Sequence, residues 1–561
     1  MFDVSALEER FRQLAPDQLL RAALTDFLPK DASAPDKVAI IEFALRSPVG
    51  QSMRDAMARW IVDGIVPVDR LVPEAYLKWR PPVRDSMMFV VARLSPARLA
   101  PKLLEQIELP STTSAEARLL RLIAKVPGLQ KLGQVIARNP HLRPALRNAL
   151  ARLENGIRDV TPDEIRTVIQ RELGARLKKF EVELSSAILS EASVSAVVRF
   201  SWRNPDTSVR ERGVFKVLKP HIPAYFAEDM EYLQGLAQYF GDRHHTYDFP
   251  SHLIPDTFKK VRRLLQHEVN FRREQKTLRE AWNLYRNVRG VGVPQVIQAL
   301  CTSKITALTE ERGIKVTNAA ARLPAGRRRA VAQQLIEALI AIPLLSQRDD
   351  VVFHGDPHAG NLLYDNRTNH LTIIDWALRE RLSREQRRHL ALLFLMLLLR
   401  DPNGAWTAIL ALSQQNVSPT SSRAKIARAA VADFLDELPA SRLPSGGDLM
   451  RLLERLALKG IRFPSSLIML SKVMFTLDGL LNDICGEEYR MGFAIARDVA
   501  QRWLLNRAAF RSPVRNSDWF TLQWSAFLYP TRLWLRWEQA LLDRYLPAQI
   551  PLTDNSYAKT S

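Results

Sequence analysis

The spacing of apolar residues separates the helical ends of the chain from a mixed central part. In residues 1–112, apolar positions recur at i, i+3 and i+4 between frequent prolines, which predicts a series of short amphipathic helices. Leu184–Phe200 and Glu211–Lys219 alternate with β-branched residues and predict strands. One long helix is expected from about Asp256 to Tyr285. Two further strands are expected at Val293–Ile297 and Lys304–Leu308.

A second pattern of short apolar runs occupies Val351–Arg379. Three runs are separated by a polar loop that contains His, Asp and Asn and by a turn at Asp365–Asn369. Apolar runs on both sides of such a loop predict a β-hairpin that carries chemical groups. Further on, the amphipathic run from Phe463 to Gly479 begins with proline and predicts a helix.

Two helix starts can be predicted from their capping residues. Thr161 is followed by Pro162 and Glu164, the order of an N-cap, a proline in the first turn and a capping-box acid. Ser383 is expected to cap a helix that contains the apolar run Leu390–Leu399. That run is too short to span a bilayer and predicts a buried central helix.

Size and charge narrow the class of protein. The chain has 561 residues, too many for one ordinary domain, and a formal net charge of +20. Two cysteines form neither a disulfide framework nor a thiolate metal site, and residues 1–27 lack the apolar segment of a signal peptide. The charge implies an anionic partner such as phospholipid or nucleotide. No nucleic acid is expected, because the basic residues are scattered and no reading module is visible.

The polar loop carries the strongest chemical signal. Asp356 and Asn361 lie five residues apart in the loop, and Asp375 ends the third apolar run. In kinase-type phosphoryl transfer, one Asp orients or deprotonates the attacking group, while an Asn and a second Asp hold Mg²⁺ against the phosphates. We therefore predict Asp356 as a catalytic residue and Asn361 and Asp375 as metal ligands.

This loop, HGDPHAGN, resembles the HxDPHPGN loop of the UbiB/AarF family, atypical kinases associated with ubiquinone biosynthesis. KLGQ at 131–134 is similar to the KxGQ motif of that family, and DWA at 375–377 stands where the family has DFG. The resemblance covers about Leu119 to Glu488. It implies an α+β, protein-kinase-like bilobal fold with a small β-rich lobe, a large helical lobe and a KxGQ lid over the mouth of the active site.

Domain bounds follow from the resemblance. They give a helical extension at 1–113, a kinase domain at 114–490 and a Trp/Arg-rich tail at 491–561. Within the kinase domain, the lid is expected at 114–180, the small lobe at 181–313 and the large lobe at 314–490.

The resemblance also implies a nucleotide site that binds ATP and Mg²⁺. Lys216 of GVFKVLKP stands in the register of the phosphate-binding lysine, and Glu274 matches the helix acid that pairs with it. Lys219 is the rival lysine, expected to point to the opposite face of the strand. Glu191, in the phosphate loop, and Asn270, where the family has Asp, are departures. The other implied nucleotide-site residues are Ala192 and Ser193 of the phosphate loop, Glu310 of the adenine linker, Lys131 and Gln134 of the lid, and Glu268.

The tail Asp518–Tyr545 is rich in Trp and Arg. Its composition suits a helix that lies in a lipid headgroup region, with Trp and Arg at the interface. An aromatic face packed on the protein's own body is an equal alternative.

Three functions remain open at this point. The first is an ATP-binding atypical kinase or ATPase, cytoplasmic and peripheral to the inner membrane, that supports ubiquinone or isoprenoid-lipid metabolism. Its partners would be a lipid-linked or isoprenoid aromatic substrate, an anionic membrane surface and enzymes of quinone synthesis. The second is a nucleotide-binding pseudokinase that regulates partner enzymes. The third is a small-molecule kinase of the aminoglycoside or choline type, which has a similar HGDxxxxN loop but no KxGQ lid.

Overall fold

The computed structural model describes residues 28–29, 31–72, 74–131, 159–247, 251, 253–414, 421–439, 444–486, 516–535 and 538. The chain forms two compact units. The first comprises Met1–Gln275 and Gln295–Glu310, and the second comprises Lys276–Pro294 and Glu311–Ser561. Gln134, the first 27 residues and much of the Trp/Arg-rich tail lie outside the described residues.

The first unit begins with the predicted short helices. They are α1 (Ala34–Arg46), α2 (Pro48–Ser52), α3 (Arg54–Arg59), α4 (Val68–Leu71), α5 (Arg80–Arg93), α6 (Pro96–Glu108) and α7 (Ala115–Ile123). A π-helical turn at Trp60–Ile65 and a 3₁₀ turn at Glu74–Trp79 join some of them. Proline starts or interrupts several of these helices because it lacks the N–H group that a helix interior requires.

The remaining elements of the first unit surround one sheet. The helices are α8 (Pro162–Leu173), α9 (Ala175–Lys179), α10 (Ile222–Asp242), α11 (Leu253–Glu268) and the first turn of α12 (Phe271–Tyr285). The strands are β1 (Glu183–Glu191), β2 (Ser195–Arg203), β3 (Arg210–Leu218) and β5 (Ile305–Thr309). Strand β4 (Val291–Gly292) belongs to the second unit. The sheet has the order β1-β2-β3-β5 and is antiparallel throughout. It confirms the small β-rich part of the expected fold.

One face of this sheet is packed against α8. Apolar residues of β2 and β3 alternate into the core, where Phe200 and Phe215 stack with their ring centroids 3.8 Å apart. Gly213 is required beside them, because a Cβ atom there would lie 2.5 Å from the Phe200 ring. Helix α8 begins where the sequence predicts, because Thr161 and Glu164 form the capping box.

The helical extension and α10 share a separate hydrophobic core. Its buried members include Ile61, Val90, Leu99, Leu103, Leu233, Leu236 and Phe240. A buried ion pair crosses it, with Arg98 of α6 2.6 Å from Asp229 of α10. The second carboxylate oxygen of Asp229 accepts a hydrogen bond from the backbone N–H of Gly128 at 2.8 Å. The segment that leads to Lys131 is thereby tied to α10.

The long helix expected from Asp256 to Tyr285 is wrong, because the chain breaks it into α11 and α12 at Val269 and Asn270. The side-chain oxygen of Asn270 accepts a hydrogen bond from the backbone N–H of Arg273 at 3.0 Å. Asn is a good N-cap, and this bond satisfies one of the N–H groups left without a partner at a helix start. Asn270 therefore begins α12.

The expected strand at Val293–Ile297 is also wrong. Only a single bridge joins Val296 to Leu308 there, and the neighbouring strand β4 (Val291–Gly292) pairs with the second unit. Pro294 sits between the two and donates no ladder hydrogen bond, which accounts for the interruption.

The second unit contains two small sheets. Its strands are β4, β6 (Ile314–Lys315), β7 (Asp350–His354), β8 (Leu362–Asp365), β9 (His370–Ile373) and β10 (Arg379–Ser383). One sheet has the order β4-β9-β8-β6, with β4 parallel to β9, and the other pairs β7 with β10. The expected hairpin across the polar loop is therefore corrected: β8 pairs with β9, whereas β7 pairs with the strand that follows Asp375.

The helices of the second unit surround the predicted central helix. They are α13 (Val316–Ala320), α14 (Ala325–Ile336), α15 (Ile342–Leu345), α16 (Arg384–Leu398), α17 (Pro402–Leu412), α18 (Ser422–Glu437), α19 (Gly446–Leu458), α20 (Ser465–Cys485) and α21 (Asn516–Phe527). Ser383 caps α16 with a capping box, and the leucine-rich run of α16 is largely buried, as predicted. Two units, one with a four-stranded antiparallel sheet and one mainly helical, agree with the α+β, protein-kinase-like bilobal class.

Helix α21 brings part of the tail onto the second unit. Arg388 of α16 donates to Asp518 at 2.7 Å, and Arg532 lies 3.2 Å from Asp401. The opposite face of the same segment leaves large apolar side chains exposed: Phe520, Trp524, Phe527, Trp534 and Leu535. The side chains of Trp519, Arg536, Trp537 and Arg544 lie outside the described residues.

Candidate functional site

In the first unit, Lys216 and Glu274 form the predicted pair. The Lys216 Nζ atom donates to Glu274 Oε1 at 2.7 Å, and the two side chains are 12% and 2% exposed. Lys216 lies in β3 between Val197 of β2 and Thr306 of β5. A lysine in the middle of a sheet is held on a rigid support, so its ammonium group has a defined position.

The next residue of the helix explains why Glu274 points at the lysine. The Gln275 side-chain amide donates to the backbone oxygens of Thr302 and Ile305 at 2.8 and 3.1 Å and to Thr306 Oγ1 at 3.1 Å. These bonds fasten the first turn of α12 to the end of the sheet. A carboxylate fixed in this way can orient an ammonium group without closing it off from a phosphate.

Lys219, the rival lysine, has a different environment. Its Nζ atom lies 2.6 Å from Asp159 and 3.1 Å from Glu191, and all three side chains are at most 4% exposed. Its backbone N–H donates to the Val194 oxygen at 3.0 Å. The departure at Glu191 is explained here, because its charge is balanced by Lys219 in a buried cluster.

Four of the predicted nucleotide-site residues lie at or next to the β1–β2 turn. Glu268 forms an ion pair with Lys131 and accepts a hydrogen bond from Ser193 Oγ at 3.1 Å. Lys131 is the first residue of KLGQ, so the start of that motif is anchored to the phosphate loop through Glu268. The backbone N–H of Ala192 donates to Ser195 at 2.8 Å and closes the turn.

Glu310 is not part of either group. Its carboxylate accepts from Arg199 Nε at 2.6 Å, and its backbone N–H donates to the Arg212 oxygen at 3.3 Å. The backbone N–H of Glu310 is thereby engaged with β3.

In the second unit, one histidine joins the loops that carry the other predicted residues. His354 Nε2 lies 3.1 and 2.9 Å from the backbone oxygens of Ile374 and Asp375, and its Nδ1 accepts from the Asp356 N–H at 3.2 Å. Burial lowers the pKa of His354, which keeps the ring neutral and suits one donating and one accepting nitrogen. His354 thus sets the positions of Asp356 and Asp375 together.

Asn361 is oriented by the same loop. Its side-chain amide nitrogen donates to the Asp356 backbone oxygen at 3.1 Å, and its backbone oxygen accepts from the Ile374 N–H at 2.9 Å. The side-chain oxygen of Asn361 is therefore turned away from Asp356. An amide oxygen of this kind and a carboxylate are ligands that Mg²⁺ accepts, together with phosphate oxygens.

Asp375 has an unusual backbone conformation, with a φ angle of +55°. Few residues other than glycine adopt the left-handed region, and such strain is concentrated at functional sites. The Ala377 N–H donates to Asp375 Oδ1 at 3.3 Å, and the intervening Trp376 is fully buried, with its indole N–H donating to Ile373 at 3.0 Å. The buried indole therefore anchors the turn that presents Asp375.

Sequence reasoning missed Lys472. This residue of α20 donates from Nζ to Asp356 Oδ1 at 2.9 Å, although 116 positions separate the two in the chain. The only signal in the sequence is a single lysine inside the apolar run LIMLSKVMF, where a solvated charge is out of place.

Residues 152–408 match the ABC1 atypical kinase-like domain. The chain is 26% identical over 364 residues to the chloroplastic Protein ACTIVITY OF BC1 COMPLEX KINASE 7 of Arabidopsis thaliana, an alignment that covers 63% of this chain and 50% of that protein. It is 23% identical over 419 residues to the Probable protein kinase UbiB of Azotobacter vinelandii, covering 73% of this chain and 75% of that protein. The chain thus spans about half the length of the Arabidopsis relative.

Proposed function

Because residues 152–408 match the ABC1 atypical kinase-like domain, we propose that the chain is an atypical kinase of the UbiB/AarF family that binds Mg-ATP and transfers or hydrolyses the γ-phosphoryl group. The observation that carries this proposal is the Lys216–Glu274 pair, in which a strand lysine is held 2.7 Å from a nearly buried helix carboxylate. A lysine positioned in this way binds the α- and β-phosphates of a nucleotide.

The second unit supplies the groups that phosphoryl transfer needs in addition. The side-chain oxygen of Asn361 and the carboxylate of Asp375 would hold Mg²⁺, which when bound neutralises charge on the phosphates. Asp356 would orient the attacking hydroxyl or water and accept its proton. The side chains of Asn361 and Asp375 are held by hydrogen bonds to the loop backbone, and the backbone N–H of Asp356 donates to the His354 ring, so all three residues have defined positions, as such a role requires.

Binding and turnover can be separated with two variants of the full chain. Asp375→Asn removes an anionic ligand and should weaken Mg-ATP binding by ~100-fold or more in calorimetry. Asp356→Asn should leave the affinity nearly unchanged and slow ATP hydrolysis by ~100-fold or more. If Asp375→Asn binds Mg-ATP as tightly as the parent chain, the site assignment is wrong.

The structure gives the pseudokinase alternative less support than the sequence alone did. Two departures from the family pattern favoured it, Glu191 and Asn270. Glu191 is paired with Lys219, and Asn270 caps α12, so each has a local structural role. Tight Mg-ATP binding without measurable turnover would favour the pseudokinase.

The acceptor is proposed to be a small or lipid-linked molecule. Lys131 pairs with Glu268 next to the phosphate loop, which supports a KxGQ segment that lies over the acceptor side of the site. The intact chain should therefore hydrolyse ATP slowly and fail to phosphorylate generic proteins such as casein. Robust phosphorylation of casein would contradict the lid.

The metabolic role proposed is support of ubiquinone or isoprenoid-lipid synthesis, with an isoprenoid aromatic substrate or the enzymes that act on it as partners. It rests on the family resemblance and not on a feature of the fold. A strain that lacks the protein should accumulate quinone precursors in a metabolite profile. Unchanged quinone and precursor levels would rule this role out.

We place the protein at the surface of the inner membrane, on its cytoplasmic side. Within the described residues, no helix combines the length and apolarity needed to cross a membrane. The support comes from the tail: Trp524 and Trp534 are 64% and 58% exposed on a segment whose other face is tied to the second unit. Exposed Trp beside Arg on a cationic chain suits an anionic lipid surface.

Exposed aromatic residues give a sharper test than truncation, because α21 also packs on the protein body. Phe520→Ser with Trp524→Ser should reduce binding to cardiolipin-containing liposomes by ~10-fold. Leu458→Ser is the matched control, since Leu458 is 86% exposed elsewhere in the same unit. Equal liposome binding by both variants would exclude this face as the anchor.

A further inference from the structure

Lys472 lies in a helix whose position is fixed by packing. Its neighbours Leu470, Val473, Met474 and Leu477 in α20 are buried, so the backbone that carries the ammonium group is rigid. The lysine itself is 33% exposed and the Asp356 side chain 15% exposed. The pair is therefore reachable from solvent, unlike the buried cluster around Lys219.

The Lys472 contact adds to the hydrogen bonds that hold Asp356 in place. Its backbone N–H donates to His354, and its backbone oxygen accepts from Asn361 and from the His358 N–H at 2.8 Å. These bonds fix the main chain. The carboxylate itself accepts from Lys472 at Oδ1 at 2.9 Å, and His358 Nε2 lies 3.9 Å from Oδ2.

A purely structural role explains the pair poorly. Ion pairs that are partly exposed contribute little to stability, because solvent screens the charges. Lys472 also interrupts the apolar run of α20, where an apolar residue would be the expected choice for packing alone. The carboxylate that it contacts is the one that faces the reaction.

We propose that Lys472 is a positioning residue for phosphoryl transfer, and this inference rests on the proposed function. Its ammonium group keeps the Asp356 carboxylate aimed at the attacking oxygen. In the step, that oxygen forms a bond to the γ-phosphorus with its own electron pair, and the bond from phosphorus to the β–γ bridging oxygen breaks with its pair leaving on ADP. The proton of the attacking hydroxyl or water passes to Asp356 and then to solvent, while Lys472 keeps its protons.

The test is steady-state ATP hydrolysis by the full chain with three variants. Lys472→Met should lower kcat by ~10-fold or more, with the affinity for Mg-ATP unchanged within about two-fold. Lys472→Arg should restore most of the rate, because arginine keeps the charge. Lys459→Met, an exposed lysine at the end of α19, is the matched control and should behave as the parent.

A double variant distinguishes action through Asp356 from an independent contact. If Lys472 acts only by positioning, Lys472→Met combined with Asp356→Asn should be no slower than Asp356→Asn alone. Losses that multiply would overturn the proposal, as would a Lys472→Met rate within about two-fold of the parent. If instead Asp356→Asn retains the parent rate, the proposed function fails at Asp356 and not at Lys472.

Amine labelling followed by mass spectrometry tests the contact without turnover. Lys472 should react with an acylating reagent faster in Asp356→Asn than in the parent, whereas Lys459 should react equally in both. Equal labelling of Lys472 in the two chains would overturn the proposal whatever the ATPase rate.

Discussion

Lys216 and Lys219 are three residues apart in the chain, and the regions around them differ in what they can do. Lys216 keeps 12% of its side chain exposed and is paired with Glu274, whereas Lys219 is 1% exposed and lies between Asp159 and Glu191. An accessible ammonium group beside a carboxylate can be shared with a phosphate. A buried one between two carboxylates is committed to them, because removing it would leave their charges in a medium of low dielectric. The comparison supports the proposal that Lys216 binds the nucleotide, and it indicates a structural role for Lys219.

The largest effect that this comparison predicts is on stability. Lys219→Met leaves two buried carboxylates without their cation, and the free energy of unfolding of the first unit should fall by ~3–5 kcal/mol. Urea unfolding followed by circular dichroism measures it. The control is Lys304→Met, whose lysine is 40% exposed and pairs with Glu172 at the surface, and it should cost less than ~1 kcal/mol. If both variants lower the free energy of unfolding equally, the structural role assigned to Lys219 is wrong.

The second prediction concerns nucleotide affinity. Lys216→Met removes a charge-assisted contact to the phosphates, and Mg-ATP should bind ~10- to 100-fold more weakly in calorimetry. Its effect on stability should be smaller than that of Lys219→Met, since one carboxylate loses its partner rather than two. If the variant binds Mg-ATP like the parent but unfolds at a lower urea concentration, Lys216 has a structural role and does not bind the nucleotide.

A third experiment sharpens the assignment of the buried cluster. Glu191→Gln keeps an acceptor for the Asp159 N–H, which the carboxylate bonds at 3.1 Å, and removes one charge. The expected loss is ~1–2 kcal/mol of unfolding free energy, with ATP affinity unchanged. Combined with Lys219→Met it should cost clearly less than the sum of the two, because both variants remove the same ion pair. Additive losses would mean that the two residues are not coupled.

The smallest effect is a pH dependence next to the same cluster. Burial lowers the pKa of His221 to about 4, opposed by Asp159 and reinforced by Lys219. Because an unfolded histidine titrates near 6.5, the unfolded chain takes up the proton first as the pH falls. The stability present above pH 6.5 should therefore decline as the pH falls toward 4.

His221→Gln removes the titrating group and should flatten that part of the profile. Urea unfolding of the parent and of the variant between pH 7 and pH 4.5 measures the difference. Parallel profiles would assign the acid sensitivity to other groups and not to His221.

Local signals in the sequence predicted local structure well. The capping boxes at Thr161 and Ser383 were confirmed because a cap depends on residues within one turn of the helix. The same kind of signal was overlooked at Asn270, where long apolar spacing suggested one continuous helix. The β7–β10 pairing could not be predicted, since strands that pair across an intervening hairpin depend on long-range packing.

The sequence by itself predicted the family resemblance, the fold class and the types of residue in the candidate site, because the HGDPHAGN and KLGQ motifs occupy short, ordered stretches. Only the tertiary structure decided which charges face each other. It separated Lys216 from Lys219 by their partners and exposure, and it brought Lys472 to Asp356 across 116 positions. A charge acts over a few ångströms through space, and the distance between two residues along the chain does not set their distance in the fold.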